Sequence, residues 1–205
     1  MDIIQEKPQM FIISGCNGSG KTTASYSLLP QLFECTQFVN TDEFAKSINP
    51  GNPEKAALAA SRLMVKKINY LIGRKVTFAI ESTLAVRTLL QTTRKAQEVG
   101  YEVTVLYFWL NSPEMAIQRV KSRVAAGGHS IPVDVIVRRY HVGLNYFLND
   151  YTRICDKWIL ADNSTYPFTV VAEGTRDGAN IIDEGKYEQI KRINLEYEES
   201  RNNND

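Results

Sequence analysis

Eight consecutive residues, 15–22, constrain this chain more than any other part of it, because they read G-C-N-G-S-G-K-T. They fit the pattern G-x-x-x-x-G-K-[ST], in which glycines let the backbone curl around a phosphate chain. In this pattern the lysine lies near the terminal phosphates and the hydroxyl of the last residue is a ligand of Mg²⁺. The sequence therefore predicts a phosphate loop with Thr22 as the metal ligand. The predicted nucleotide-binding residues are Gly15, Asn17, Gly18, Ser19, Gly20, Lys21, Thr22 and Thr23.

The segments on either side of the loop have the structure that this motif requires. Residues 10–14 form a short apolar run that is typical of a buried strand. Residues 22–29 predict a helix that ends near Pro30. A strand, a glycine-rich loop and a helix, in that order, are the context in which the motif binds phosphate.

Strands alternate with helices along the rest of the chain, which predicts an α/β fold. We expect a three-layer P-loop NTPase fold, in which a mostly parallel sheet of five or more strands has helices on both faces. The 205 residues are enough for a single domain. The predicted strands after the loop are residues 37–40, 76–80, 101–110, 154–161 and 168–172. The predicted parts of the domain are a core at about 10–175, a lid at about 119–140, a C-terminal helix at about 186–199 and a frayed tail at 200–205.

Two carboxylates follow predicted strands and are the strongest candidates for chemistry. In parallel sheets, ligands bind at the carboxyl ends of the strands, so Lys21, Asp42 and Glu81 are expected to meet in one cleft. Phosphoryl transfer needs a carboxylate that orients or deprotonates the attacking hydroxyl, and Asp42 is the candidate for this role. The alternatives for Asp42 are a helix N-cap or a water-mediated ligand of Mg²⁺. Glu81 is expected to bind a substrate hydroxyl. The alternatives are that it supports Mg²⁺ through water or forms an ion pair with a nearby lysine or arginine. Thr83 either donates to the substrate or caps the next turn.

Arginines on both sides of a Gly-Gly-His turn predict a mobile lid. Closing such a lid would bring guanidinium groups onto the transferring phosphate and exclude water. The alternative is that these arginines only form a solvated helix face. His129 in the turn either contacts the substrate or makes a structural hydrogen bond. Asn163, in the D-N-S stretch at 162–164 after a later strand, is expected to contact the nucleotide, and a simple turn is an equally good interpretation of that stretch. The predicted catalytic arginines are Arg123 and one of Arg138 and Arg139.

Composition limits the partners and the compartment. The net charge of +1 gives no electrostatic case for nucleic acid or for an anionic membrane. The longest strongly apolar run, residues 103–110, is too short to span a bilayer. Three widely spaced cysteines predict reduced thiols in a cytoplasmic protein. Cys16, inside the phosphate loop, is either a redox-sensitive thiol or a small residue that fills a variable position.

Several stretches resemble the zeta-toxin family of small P-loop kinases. They are the loop at 15–22, V-N-T-D at 39–42 and F-A-I-E-S-T-L at 78–84. The segment 123–140, with R-V, G-G-H, P and R-R-Y in that order, resembles a bacterial branch that is often described as predicted ATPases. The resemblance covers roughly residues 10–165.

The resemblance implies a nucleotide-kinase-like fold, ATP with Mg²⁺ as the donor, and a small hydroxyl acceptor. In the best-known toxins the acceptor is UDP-N-acetylglucosamine, but the Gly-Gly-His lid and the short acceptor region differ from theirs and leave the acceptor open. An antitoxin-like protein partner is a further expectation. By position, the resemblance implies that Asp42 is the catalytic base, that Glu81 binds the acceptor, and that the lid arginines are Arg123 with Arg138 or Arg139.

We therefore expect an ATP-dependent kinase that phosphorylates a small molecule such as a nucleotide sugar. One alternative is an ATPase switch that uses the same residues to orient water and acts through a protein partner. The other alternative is a nucleoside or nucleotide kinase.

Overall fold

The computed structural model describes residues 7–32 and 35–203, and a seven-stranded sheet lies at its centre. In chain order its strands are β1 (Gln9–Ser14), β2 (Phe38–Val39), β3 (Phe78–Ser82), β4 (Glu102–Trp109), β5 (Lys157–Asp162), β6 (Thr169–Thr175) and β7 (Gly178–Ile181). Across the sheet they lie in the order β2-β3-β1-β4-β5-β6-β7. The first five pair in parallel, which confirms the predicted α/β fold with a mostly parallel sheet.

The strand order decides where the site forms. β1 lies between β3 and β4, and β2 lies on the far side of β3. Because the carboxyl ends of parallel strands meet at one edge, the segments that follow β1, β2 and β3 converge there. The edge strand β2 is short and pairs with β3 through Phe38 with Ala79 and through Val39 with Ile80.

The far edge of the sheet differs from the prediction. β6 pairs antiparallel with β5, and β7, which was not predicted, pairs antiparallel with β6. The two-residue connection Arg176-Asp177 precedes Gly178 and joins β6 to β7 in a hairpin. Asp177-Gly178 is a turn signal in the sequence, although the two central residues of the turn are Arg176 and Asp177.

Helices cover both faces of the sheet. On one face, buried residues of α1 pack beside Phe11, Ile13, Leu106 and Phe108. The alternate residues of the same strands face a larger cluster with α3, α4, α5, α6 and α8. No helix in the described part of the chain is long and apolar enough to cross a membrane. The helices are α1 (Lys21–Leu32), α2 (Thr41–Ile48), α3 (Ala57–Gly73), α4 (Arg87–Glu98), α5 (Pro113–Ala125), α6 (Val133–Tyr146), α7 (Thr152–Ile154) and α8 (Glu184–Asn202), with a 3-10 turn at Pro53–Ala56 and a π-helical turn at Phe147–Tyr151.

The predicted end of α1 near Pro30 is wrong, since the helix continues to Leu32. A proline removes its own backbone donor and weakens a helix, but the residues beyond it can still bond to earlier carbonyl groups.

The two helices of the predicted lid are packed onto the core. Val120 of α5 and both Ile136 and Tyr140 of α6 are buried, and the Tyr140 hydroxyl donates to the carbonyl oxygen of Leu110 at 2.7 Å. This packing favours movement of the connecting residues 126–132 over rotation of either helix. A mobile lid stays a prediction.

Candidate active site

The phosphate loop has the curled backbone that its sequence predicts. Gly15, Gly18 and Gly20 all have positive φ, a conformation that residues with a side chain rarely adopt. At Gly18 a Cβ would also lie 2.8 Å from the carbonyl oxygen of Ala116, so α5 packs directly on the loop. The Ser19 hydroxyl is buried inside the loop and has no hydrogen-bond partner among the residues that the structure describes. The loop therefore holds polar groups that a phosphate could satisfy.

The Lys21 side chain is folded into the loop. Its ammonium group donates to the carbonyl oxygen of Cys16 at 2.8 Å, and the residue is buried. Burial lowers the pKa of Lys21, and the nearby carboxylates of Glu81 and Asp42 oppose that change. The ammonium charge is thus held at the inner side of the loop, opposite two carboxylates.

Cys16 fits the interpretation of a small residue that fills the loop. It is buried, and burial raises the pKa of its thiol to about 11. Because the thiolate is the reactive form, the thiol is expected to be inert at neutral pH in the folded protein.

Glu81 and Thr22 are in direct contact at the edge of the sheet. The Thr22 hydroxyl lies 2.9 Å and 3.1 Å from the two carboxylate oxygens of Glu81. Burial raises the pKa of Glu81, while Lys21 and the hydrogen bond from Thr22 lower it. The predicted metal ligand and the predicted acceptor-binding carboxylate therefore form one cluster.

Asp42 lies in the first turn of α2 and its side chain is exposed. The N-cap of this helix is Asn40, whose side-chain oxygen accepts from the backbone N–H of Asp42 at 2.8 Å. The capping alternative for the Asp42 carboxylate is therefore wrong. The carboxylate acts electrostatically on Lys21 and Glu81, raising the pKa of both. Lys21, Asp42 and Glu81 all lie at the ends of neighbouring parallel strands or just beyond them, and a shared cleft stays a prediction.

Asn40 is a site residue that the sequence analysis missed. Its side-chain nitrogen donates to Glu81 at 2.9 Å, while its oxygen caps α2. Asparagine is among the preferred N-cap residues. Its place directly before Thr41-Asp42-Glu43 could therefore have identified Asn40 as the N-cap of α2.

The predicted arginines differ in position. Arg139 is half-buried and donates to the side-chain oxygen of Asn17 in the phosphate loop at 3.1 Å, whereas Arg138 is exposed. Arg123 is exposed and donates to the backbone carbonyl of His129 at 3.3 Å. Arg119, which the predicted set did not include, donates to the carbonyl oxygen of Ser164 at 3.1 Å. Of the three predicted arginines, Arg139 is thus the one for which the described residues show a hydrogen bond to the loop.

The remaining predicted residues lie around the loop. Asn163 donates from its side-chain nitrogen to the carbonyl oxygen of Ser19 at 2.8 Å, so it supports the loop backbone. Thr23 follows Thr22 in the first turn of α1 and is exposed. Thr83 is half-buried just beyond β3, where the turn is capped by the Ser82 hydroxyl, which accepts from the N–H of Leu84 at 3.0 Å. Nucleotide contact by Asn163 and substrate contact by Thr83 and His129 stay predictions.

Comparisons with known proteins identify a family and a sequence relative. A family model described as Zeta toxin matches residues 3–148. An uncharacterized protein of Haemophilus influenzae is 35% identical over 128 residues, which cover 62% of this chain and 88% of that protein.

Two solved structures share the fold. A chain of the AvrRxo1-ORF1:-ORF2 complex with ATP superposes with a TM-score of 0.72 at 17% identity, over 90% of this chain and 63% of that chain. A chain of the PezAT chromosomal toxin–antitoxin system of Streptococcus pneumoniae superposes with a TM-score of 0.65 at 14% identity, over 95% of this chain and 88% of that chain. The present chain therefore spans less than two thirds of the AvrRxo1 chain that it matches.

Proposed function

The chain belongs to the zeta toxin family, and we propose that it transfers the γ-phosphate of ATP to a hydroxyl group of a small molecule. The observation that carries the proposal is the placement of Lys21, Asp42 and the Thr22–Glu81 pair at the carboxyl ends of neighbouring parallel strands. A phosphate loop alone would fit any nucleotide-binding protein. An exposed carboxylate beside it is what an attacking hydroxyl group requires.

The loop and Thr22 fit ATP and Mg²⁺. The curled backbone and the buried ammonium group of Lys21 are suited to the phosphates. So is the Ser19 hydroxyl, which has no hydrogen-bond partner in the part of the chain that the structure describes. The hydroxyl of Thr22 and the carboxylate of Glu81, 2.9 Å apart, supply the oxygen ligands that Mg²⁺ prefers. When bound, the ion would neutralise charge on the phosphates.

Asp42 is proposed as the base that takes the proton of the acceptor hydroxyl. Its carboxylate is exposed at the cleft, and the capping function is already fulfilled by Asn40. Glu81 has two proposed tasks. Its contact with Thr22 supports a part in holding the metal, and the family resemblance supports contact with the acceptor. A nucleotide sugar is the proposed acceptor class, and its support is the family alone.

Arg139 is proposed to stabilise the transferring phosphate, and exposed Arg138 provides a matched control. Arg139→Ala is expected to lower kcat about 100-fold, the usual cost of removing one donor to developing charge. Arg138→Ala is expected to stay within about twofold of wild type, as surface substitutions do. Steady-state kinetics of both variants make the comparison. Equal losses, or a larger loss for Arg138→Ala, would contradict the assignment.

The proposed function is tested by incubating the protein with γ-labelled ATP, Mg²⁺ and a pool of metabolites that includes nucleotide sugars, nucleosides and nucleotides. Lys21→Ala, checked for folding by circular dichroism, serves as the inactive control. A labelled metabolite made by wild type but not by Lys21→Ala is the expected result. Labelled inorganic phosphate as the sole product would favour the ATPase switch, and labelled nucleotides would favour a nucleoside or nucleotide kinase.

An antitoxin-like protein partner is a further part of the proposal. Its support is the similarity to a chain of the PezAT toxin–antitoxin system. A partner that blocks the cleft would lower transfer when it is added to the same assay.

A further inference from the structure

We propose that Asn40 is a positioning residue that holds Asp42 and Glu81 at a fixed separation across the cleft. The proposal rests on the proposed kinase function, since it concerns the geometry of two groups of that reaction. Asn40 is buried, with 6% of its surface exposed, at the junction of β2 and α2. The phosphate-loop motif does not include it.

Both ends of the Asn40 amide are used, and they reach different elements. Its oxygen accepts from the N–H of Asp42 at 2.8 Å, which ties it to the helix that carries the proposed base. Its nitrogen donates to the carboxylate of Glu81 at 2.9 Å, which ties it to the end of β3. The same Glu81 carboxylate accepts from Thr22 at the start of α1. One side chain thus connects the proposed base to the cluster beside the phosphate loop.

This connection is important because the backbone attaches α2 to the sheet weakly. The strand that leads into α2 consists of Phe38 and Val39. Just before it, the carbonyl oxygen of Gln37 accepts from the N–H of Ala79 at 2.8 Å. An edge strand of two residues forms backbone hydrogen bonds to a neighbouring strand on one side only. It therefore has few hydrogen bonds to resist a shift of the following helix. The Asn40–Glu81 bond adds a direct link at the point where a shift would displace Asp42.

The task requires a neutral amide. Serine and aspartate cap helices about as well as asparagine, so they would keep the hydrogen bond to the N–H of Asp42. An ionised aspartate has no donor for Glu81, and the serine hydroxyl is attached one bond closer to the backbone. Helix capping and positioning can therefore be separated by substitution.

The experiment compares Asn40→Ser, Asn40→Asp and Asn40→Ala by melting temperature, KM for ATP and kcat. Asn40→Ser keeps the cap but loses the bond to Glu81, so it should melt only slightly below wild type. Asn40→Asp also places a second carboxylate beside Glu81 and should melt lower. Both variants are expected to bind ATP normally but to lose about 100-fold in kcat, as a misplacement of about 1 Å causes. Asn40→Ala should also melt lower because it removes the cap. Asp183, the N-cap of the remote helix α8, provides the control, and Asp183→Ser should leave kcat unchanged.

Wild-type kcat in both Asn40→Ser and Asn40→Asp would overturn the proposal and leave Asn40 as a helix cap. If wild type transfers no phosphate at all, the proposed function fails, and the contact is then tested by melting temperature alone. Asn40→Ser and Glu81→Ala should shift the melting temperature non-additively, as residues in contact do. Additive shifts would overturn the proposal whatever the activity of the protein.

Discussion

Replacing Asp42 by asparagine is expected to lower the rate of phosphoryl transfer about 1,000-fold while ATP binding stays within about twofold of wild type. Asparagine has nearly the same shape as aspartate, but it cannot take the proton of an attacking hydroxyl group. The exposed Asp42 carboxylate does not cap α2, because Asn40 does, so the variant should melt like wild type.

The neighbouring Glu43 provides the matched control for this prediction. It is exposed, follows Asp42 in the first turn of α2, and accepts a hydrogen bond from the Tyr26 hydroxyl. Glu43→Gln makes the same chemical change one residue away and is expected to leave kcat within about twofold. The two variants are compared by single-turnover transfer and by titration with ATP. Transfer by Asp42→Asn at the wild-type rate would remove Asp42 from the role of base.

The placement of Lys21, Asp42 and Glu81 at one edge of the sheet could be predicted from the sequence because it depends on topology alone. A phosphate loop after the first strand and carboxylates after the next two strands must share an edge once those strands are parallel neighbours. The order β2-β3-β1 fulfils that condition. No side-chain geometry was needed for this part of the site.

The parts that were missed depend on side-chain direction. Arg138 and Arg139 are adjacent in the sequence, and the buried face of α6 decides which of them reaches Asn17. The double hydrogen bond of Asn40 depends on how far β3 extends beyond β2, which periodicity does not reveal. Such details follow from packing between elements, whereas a sequence pattern describes one element at a time.

A second glycine-dependent contact lies outside the phosphate loop, and Gly143→Ala is expected to destabilise the protein. Alanine normally stabilises a helix relative to glycine by about 1 kcal/mol. At Gly143 in α6, however, a Cβ would lie 2.3 Å from the carbonyl oxygen of Thr83. We expect the free energy of unfolding to fall by about 1–3 kcal/mol, as in other overpacked sites, and the melting temperature to fall by roughly 2–12 °C.

The carbonyl group of Thr83 cannot easily move away. The next residue, Leu84, is fully buried and has a positive φ of 57°, and its N–H is bonded to Ser82. A leucine in this conformation is held by its surroundings, so the turn has little freedom to adjust. The collision must therefore displace α6.

Displacement of α6 should also lower activity, because Gly143 and Arg139 are four residues apart on one face of the helix. Thermal unfolding and kcat are measured for Gly143→Ala beside Gly185→Ala in α8. At Gly185 the nearest atom to a Cβ would be 3.7 Å away, so alanine there should leave stability equal or higher. A Gly143→Ala protein that melts at or above the wild-type temperature would mean that α6 moves freely. That result would support a mobile lid and would argue against an α6 that holds Arg139 in a fixed position.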